Sequence, residues 1–427
     1  MTMETKTKNK PAKKIVRPTH ISGAEAVIRC LLAEGVDLIY GYPGGAIMPV
    51  YDELYKFQDQ LQHVLTRHEQ GATHAAQGYA RTSGKVGVAV ATSGPGATNL
   101  VTGIADAQID STPMVCITGQ VASHLLGSDA FQETDIIGIS TPVTKWNYQI
   151  TKASEIPEIM AKAFYIARSG RPGPVLIDIT KDAQFEKFEF TYEHCVGIRS
   201  YLPKPSLQLD QVAAAVELIE QAKKPFIVWG QGVILGQAEE EFKNFVEKSG
   251  IPAAWTILGL SALPTSHPSN RGMVGMHGNY APNLLTNQCD LLIAVGMRFD
   301  DRVTGDLNTY AKQAKIIHLE LDPSEVNKNV RADVTVLADC KESLKAITEK
   351  ISSNTYPEWI AEFDRLDSIE EEKVIYNDLN PTHEGLSMGE SIKMINKHTQ
   401  GNAVIVTDVG QHQMATCRYA DFNFSKS

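Results

Sequence analysis

The sequence predicts an α/β chain of tandem doubly wound parallel-sheet domains, the third only begun. Three observations carry this. Short apolar runs (Ile39-Tyr40-Gly41, Val86 to Ala91, Met114 to Thr118 and Val175 to Ile179) each close in Gly, Ser or Thr and run into a helix-like stretch, the βα rhythm of a sheet covered on both faces. The rhythm recurs downstream in Pro225 to Trp229, Leu291 to Val295, Ile316 to Leu321 and Val334 to Leu337. A length of 427 residues allows two to three domains at about 150 residues each.

The element order sets the boundaries. Residues 1–14, with Lys6, Lys8, Lys10, Lys13 and Lys14, read as a basic disordered leader. The first α/β domain is expected over 15–182, a polar, aromatic-rich linker over 183–205, and a second α/β domain over 206–352. A second linker, 353–384, holds the acidic run Glu370-Glu371-Glu372. Residues 385–427 begin a third domain: Leu386 to His398 reads as a helix, and Ala403 to Thr407 as a strand ending in Asp408-Val409-Gly410. One helix and one strand cannot bury a core.

Composition narrows the class. The chain is 43% hydrophobic and 21% charged, which excludes collagen-like, coiled-coil and wholly disordered readings. A net charge of -10 makes it a poor nucleic-acid binder, because neutralising phosphates needs a basic face. The six cysteines, at 30, 116, 195, 289, 340 and 417, form no CxxC pair and read as reduced thiols of a cytoplasmic protein. No apolar run approaches the roughly 20 residues that span a bilayer. No apolar segment follows the basic start, so a secretory signal is not expected.

The motifs gather where strands end. Arg67-His68-Glu69-Gln70-Gly71-Ala72 opens a helix after the apolar segment His63 to Leu65. Glu69 there is either a first-turn residue favoured by the helix dipole or a partly buried carboxylate able to share a proton with a heterocyclic nitrogen. Gly41-Tyr42-Pro43-Gly44-Gly45 closes a strand, and its paired glycines let a ligand approach the backbone. Thr92-Ser93-Gly94-Pro95-Gly96-Ala97-Thr98-Asn99 leads a strand into a helix N-terminus, without a Walker lysine or a full GxGxxG. Gly127-Ser128-Asp129-Ala130-Phe131-Gln132-Glu133 lies just beyond another strand. All four fall at the carboxyl edge of the predicted sheet, where open α/β sheets bind ligands.

With these stand Ser169-Gly170-Arg171-Pro172-Gly173-Pro174-Val175, Gly275-Met276-His277-Gly278, Arg298-Phe299-Asp300-Asp301-Arg302-Val303 and Gly410-Gln411-His412-Gln413-Met414. Taken in order, the eight segments resemble the large catalytic subunits of acetohydroxyacid (acetolactate) synthases, thiamine-diphosphate enzymes. The resemblance implies the thiamine-diphosphate enzyme fold. It implies that Glu69 hydrogen-bonds the aminopyrimidine ring and favours the imino tautomer that takes the thiazolium C2 proton. It implies decarboxylation of pyruvate and condensation of the two-carbon unit with a second 2-oxo acid, pyruvate or 2-oxobutyrate. That is the first common step of valine, leucine and isoleucine biosynthesis.

By the same resemblance Gln132 and Gly45 flank the reacting carbon, and Phe131, Lys181, Met276 and Asp301 line the substrate channel. Val121 to Leu126 departs from the usual family form, and His124 within it reads as exposed or packed rather than catalytic. The alternatives are another thiamine-diphosphate 2-oxo acid decarboxylase or oxidase, and a non-catalytic flavin-binding fragment.

In the second block Gly230-Gln231-Gly232 looks like a shortened dinucleotide fingerprint or a plain turn. The resemblance implies FAD here, contacted by Met276, His277, Gly296, Met297, Arg298, Arg302, Val303, Glu320 and Asp339, with Arg171 from the first block. Glu320 closes an apolar strand, where an acid can reach a ribose hydroxyl. Val409, Gly410, Gln411 and His412 match the family's first diphosphate-contacting loop. The Gly-Asp-Gly and Asn that ligate Mg2+ in the family are not in this sequence. No metal ligand is therefore assigned, and the chain alone is expected not to be a competent synthase. A homodimer or homotetramer and a small regulatory subunit are the implied partners.

Overall fold

Strands apolar on every position are buried only between two helical layers, and two sheets of this kind form the structure, a computed structural model describing residues 19–382 and 384–427. The expected basic leader, 1–14, lies outside the described residues. The chain divides into two compact units: one runs to Arg168 and resumes over Pro172–Ser200, the other takes Ser169–Arg171 and Tyr201–Ser427.

The first unit holds β1 (Thr19–Ser22), β2 (Leu38–Gly41), β3 (Gln62–Leu65), β4 (Gly87–Ala91), β5 (Met114–Gln120), β6 (Trp146–Ile150), β7 (Pro174–Thr180) and β8 (Lys187–Phe190). Six of these form a parallel sheet in the order β3-β2-β4-β5-β7-β6. The four runs expected as strands are β2, β4, β5 and β7. β4, β5 and β7 are buried along their whole length. The chain leaves β2 in one direction to make β3, then returns past it to β4 and onward. A crevice therefore opens where β2 and β4 end, the topological switch point of a doubly wound sheet. One core layer joins Val27, Ile28, Leu31, Val88, Val90, Val115, Ile117, Phe164, Val175 and Ile177. Each such side chain contributes about 1.5–3 kcal/mol when fully buried.

The second unit holds β9 (Pro225–Trp229), β10 (Ala253–Trp255), β11 (Asn270–Met273), β12 (Leu291–Val295), β13 (Lys315–Glu320) and β14 (Val334–Leu337). Their order is β11-β10-β9-β12-β13-β14, with every pairing parallel. This is the 3-2-1-4-5-6 order of dinucleotide-binding sheets, with its switch point between β9 and β12.

Three local departures have physical causes. Within the stretch expected as the first linker, β8 pairs antiparallel with β1, Ile21 opposite Phe188; its alternating burial suits a two-stranded ribbon with one wet face. Within the second expected linker, the helix Pro357–Glu370 sinks Trp359, Phe363 and Leu366 into the second core. Trp359 Nε1 donates to Pro225 O at 2.9 Å. The expected strand Ala403–Thr407 is extended but unpaired, for no neighbouring strand satisfies its backbone groups.

Candidate functional site

Glu69 is the first residue of the helix Glu69–Ser83, which starts one turn beyond β3. His68 caps that helix, its Nδ1 accepting from Gln70 N at 3.1 Å. A carboxylate in a first turn is favoured by the helix dipole, yet Glu69 is also only 8% exposed. Burial at that level requires a partner, and Asn99 Nδ2 donates to Glu69 Oε2 at 3.0 Å. The second oxygen, Oε1, faces Gly96, where a Cβ would stand 3.3 Å away. A Cβ at 96 would also stand 2.7 Å from Thr92 Cγ2, so only glycine lets this turn pack against both Thr92 and Glu69.

Three loops close around this carboxylate at the switch point. A Cβ on Gly44 would stand 2.5 Å from Thr92 Cβ, so the turn after β2 fits against the loop after β4 only as glycine. Thr92 Oγ1 fixes the same junction by accepting from Ala46 N at 3.2 Å. Gly94 takes φ +57°, and a Cβ there would come 2.6 Å from Gln132 O, which brings in the loop after β5. Gln132 itself holds φ +58°, as does Asp129 at +57°, an uncommon region for non-glycine residues. Glu133 stabilises this loop by accepting from Gly127 N and, at 3.0 Å, from Ala130 N. Those backbone donors hold its carboxyl below the ordinary range.

The sheet thus brings Glu69, Gly45 and Gln132 to one edge, and adds Asn99 and Thr92, to which the sequence reading gave no individual role. A Cβ on Gly45 would meet nothing within 4 Å, so this position opens outward. Phe131 is 88% exposed on the same loop as Gln132. Lys181 opens the helix after β7, at the same carboxyl edge. Beside it Asp182 accepts from Ser123 N at 2.9 Å, pinning the segment that departs from the family form. His124 in that segment is exposed.

In the second unit the switch point is closed by glycines packed on glycines. A Cβ on Gly230 would stand 2.6 Å from Gly296 O, and one on Gly232 2.6 Å from Gly296 Cα. Gly230 N donates to Val295 O and Gly232 N to Gly296 O, both at 2.9 Å. The Gly230-Gln231-Gly232 glycines therefore seat one loop on another. Gly296 takes φ +56°, turning the chain into buried Met297 and half-buried Arg298. Arg298 makes no ion pair among the described residues. Arg302 lies exposed, 3.8 Å from Asp301. Gly275, at φ +105°, lets Met276 N donate to Arg302 O at 2.8 Å, joining the Met276-His277 turn to the segment bearing Arg302 and Val303.

Several predicted flavin contacts have protein partners. Glu320 Oε1 accepts from Leu321 N and Asp322 N at 2.8 and 2.9 Å, while Oε2 lies 3.6 Å from His318 Nε2. Asp339 caps the helix Cys340–Lys350 and pairs with Lys204 at 2.6 Å. Arg171 lies between Asp322 at 3.1 Å and Glu325 at 2.8 Å. Val409, Gly410, Gln411 and His412 surround the start of the helix Gln411–Tyr419, with Val409, Gln411 and His412 exposed. Among the described residues no group of three or more His, Cys, Asp or Glu side chains is assembled to hold a metal ion, and no helix is long and apolar enough to cross a membrane.

Comparison with known proteins matches residues 21–139 to the thiamine pyrophosphate enzyme N-terminal TPP binding domain, and residues 212–347 to the thiamine pyrophosphate enzyme central domain. The acetolactate synthase large subunit of Corynebacterium glutamicum is 45% identical over 410 residues, covering 95% of this chain and 65% of that protein. That of Lactococcus lactis is 43% identical over 407 residues, covering 95% of this chain and 69% of the relative. The probable acetolactate synthase large subunit of Methanocaldococcus jannaschii is 45% identical over 404 residues, covering 92% and 68%. The chain spans about two thirds of the length of these relatives.

Proposed function

The chain belongs to the acetolactate synthase large-subunit family of thiamine-diphosphate enzymes, and we propose that it serves acetolactate formation. In this reading pyruvate is decarboxylated and its two-carbon unit joins pyruvate or 2-oxobutyrate, the first common step towards valine, leucine and isoleucine. The observation that carries the reading is the buried Glu69 at the switch point, one oxygen held by Asn99 and the other beside Gly96.

In this reading a flat heteroaromatic ring is brought edge-on to the Glu69 carboxylate. Thiamine diphosphate, when bound, supplies the nucleophilic carbon and the electron sink. Glu69 holds or releases the proton on a ring nitrogen of the aminopyrimidine, a task for which a desolvated carboxylate is suited. Asn99 fixes the rotamer of Glu69. The open face at Gly45 admits the substrate carbonyl, and Gln132 orients it with its side-chain amide. Phe131 and Lys181 in the first unit, and Met276 and Asp301 in the second, are each proposed as contacts of the 2-oxo acid.

FAD is assigned to the second unit on its 3-2-1-4-5-6 strand order. Gly296, Met297, Arg298, Arg302 and Val303, with Met276 and His277, are its proposed contacts, and Arg298 is the cation best placed to take the pyrophosphate. Glu320 offers Oε2 to a ribose hydroxyl. Arg171 and Asp339 enter as residues that hold the surrounding loops, already tied to Glu325 and Lys204. Val409, Gly410, Gln411 and His412 are proposed to meet the diphosphate. The described residues do not make up a Mg2+ site. A homodimer or homotetramer is proposed, in the cytoplasm. The relatives' designation as large subunits supports a smaller regulatory partner.

The test is acetolactate formation from pyruvate with thiamine diphosphate, Mg2+ and FAD supplied, for the wild type and Glu69→Gln, with flavin absorbance read on the same samples. Bound flavin, and any acetolactate disappearing in the variant, uphold the reading. Acetolactate formed equally by Glu69→Gln, or a different thiamine-dependent product, overturns it.

A further inference from the structure

β5 and β7 are buried throughout, yet towards their carboxyl ends they carry Thr118, Gln120 and Asp178. The parallel register sets Thr118 opposite Asp178, and on the other side Gln149 of β6 opposite Asp178. Asp178 is fully buried and makes no ion pair among the described residues. Three neutral donors satisfy it instead. Thr118 Oγ1 donates to Oδ1 at 2.7 Å, while Gln149 Nε2 and Gln120 Nε2 donate to Oδ2 at 2.9 and 3.1 Å. Burial raises its carboxyl above the ordinary value against the pull of these bonds. A buried carboxylate without a cation is a costly way to join three strands, which points to a task beyond packing.

Gln120 shows that task. Its Nε2 also donates to Thr134 O at 3.0 Å, and its Oε1 accepts from Val121 N at 2.9 Å. Each polar atom of the amide is thus committed. Thr134 closes the loop that starts at Gly127, and Gln132 lies two residues before it. From Asp178 to Gln120 to Thr134, the core of the sheet reaches the loop from behind. We propose that Asp178 and Gln120 are positioning residues, which through Thr134 hold the Gly127–Thr134 loop, and with it Gln132, at the switch point. The proposal rests on the reading of Gln132 as a site residue.

The orientation of the Gln120 amide makes the proposal testable. In Asp178→Asn the amide oxygen can take the place of Oδ2 and accept from Gln120 and Gln149, while the amide nitrogen donates to Thr118 Oγ1, so the charge is lost and the link to Gln120 is kept. Gln120 cannot turn over, because its oxygen would then face Thr134 O and its nitrogen Val121 N–H. In Gln120→Ala the link to Thr134 is lost while Asp178 keeps Thr118 and Gln149. In Gln120→Glu an oxygen takes the place of Nε2 and meets both Asp178 Oδ2 and Thr134 O, so both links are lost with the side-chain volume kept.

Hydrogen exchange of the loop amides, with thermal melting of each variant, tests this. Gln120→Ala and Gln120→Glu are expected to speed exchange over Gly127–Thr134 by about tenfold, the equivalent of one net hydrogen bond, while the helix Glu69–Ser83 keeps its protection. Asp178→Asn, which keeps an acceptor for Gln120, is expected to keep the slow loop. Wild-type exchange in Gln120→Ala, or a fast loop in Asp178→Asn, overturns the proposal. Should Asp178→Asn not fold, Gln120→Ala alone decides. In an acetolactate-forming preparation, Gln120→Ala is expected to lower kcat about tenfold with KM for pyruvate little changed; the reverse split contradicts the assignment. The exchange readout needs no turnover, so the proposed function can fail while the loop assignment stands.

Discussion

Gly103→Ala tests how the helix carrying Glu69 is seated. Gly103 lies in the helix Val101–Ile109, and a Cβ there would stand 2.0 Å from Thr73 Oγ1 and 2.5 Å from Thr73 Cβ. Ordinary carbon contacts are about 3.5–4.0 Å, so the two helices must part by more than an ångström. Rotating Thr73 does not relieve the overlap, because its Cβ is fixed to the helix, and Thr73 Oγ1 would lose its bond to Gln70 O at 2.8 Å. Overpacking of this kind costs about 1–3 kcal/mol. Parting the helices also breaks the bond from Gln77 Nε2 to Gly103 O at 2.9 Å, worth about 1 kcal/mol net. Against these, Ala is better than Gly in a helix by about 1 kcal/mol. The net is a loss of about 1–3 kcal/mol in the first unit, or roughly 2–12 °C in Tm for a unit of this size. Urea titration of the first unit's transition is the assay. Thr73→Ala in the same chain should restore only part of the loss, since Thr73 Cβ remains. A neutral or stabilised Gly103→Ala, as helix propensity alone requires, refutes the reasoning.

Three further outcomes are expected. Gly96→Ala brings a Cβ 2.7 Å from Thr92 Cγ2 and 3.3 Å from Glu69 Oε1; thiamine-diphosphate contacts in the first unit should weaken about tenfold with an overpacking loss of about 1–3 kcal/mol, read by ligand-observed NMR beside a melting curve. Arg171→Ala should cost the second unit about 2 kcal/mol at neutral pH: burial alone would raise the Asp322 and Glu325 carboxyls, but Ser324 and Arg171 for the one, Arg171 and Lys328 for the other, hold both below the ordinary range. Because these folded pKa values are depressed, their stabilisation is present above the unfolded value, near 4, and is lost as pH falls through the folded ones; the variant should flatten that acid limb in a pH series of urea titrations. Asp367 behaves in the opposite sense: burial first, then Glu370 and Asp364, raise it to about 6 despite Arg271, so stability falls as pH rises from about 4 to about 6, and Asp367→Asn should remove that slope.

The alternation of short apolar runs with helical stretches was enough to read two doubly wound sheets, because strands buried on both faces are nearly pure in composition. β4, β5, β7, β9 and β12 are of this kind. β3 was legible only as the apolar segment His63 to Leu65 before a strand-to-helix junction, and β11 escaped notice. β3 is mostly exposed and polar at its start, and β11, Asn270–Met273, has a single buried residue. The pattern in each is weak; pairing with a neighbour makes each a strand. Ala403–Thr407 failed in the other direction: its alternation is strand-like, but a strand exists only with a partner.

At the candidate site, Glu69, Gly45 and Gln132 could be singled out from sequence because each lies in or next to a loop expected at the carboxyl end of a strand, and the structure places all three at that edge. Asn99 was legible only as part of its loop, since nothing in sequence says that an amide 30 positions away meets Glu69 Oε2. The Asp178–Gln120 pair had a signal: a carboxylate in Val175 to Ile179 and an amide ending Met114 to Gln120 both interrupt otherwise apolar strands. Only the register makes them one network.

The central claim is that Glu69 meets the aminopyrimidine ring at the switch point of the first sheet. Saturation-transfer NMR on thiamine diphosphate, with wild type and Glu69→Ala, tests it most directly. Saturation reaching the aminopyrimidine ring protons from the wild-type chain, and lost in Glu69→Ala while melting is unchanged, is the predicted result. Equal transfer in both chains, or transfer confined to the thiazolium side of the molecule, contradicts the claim.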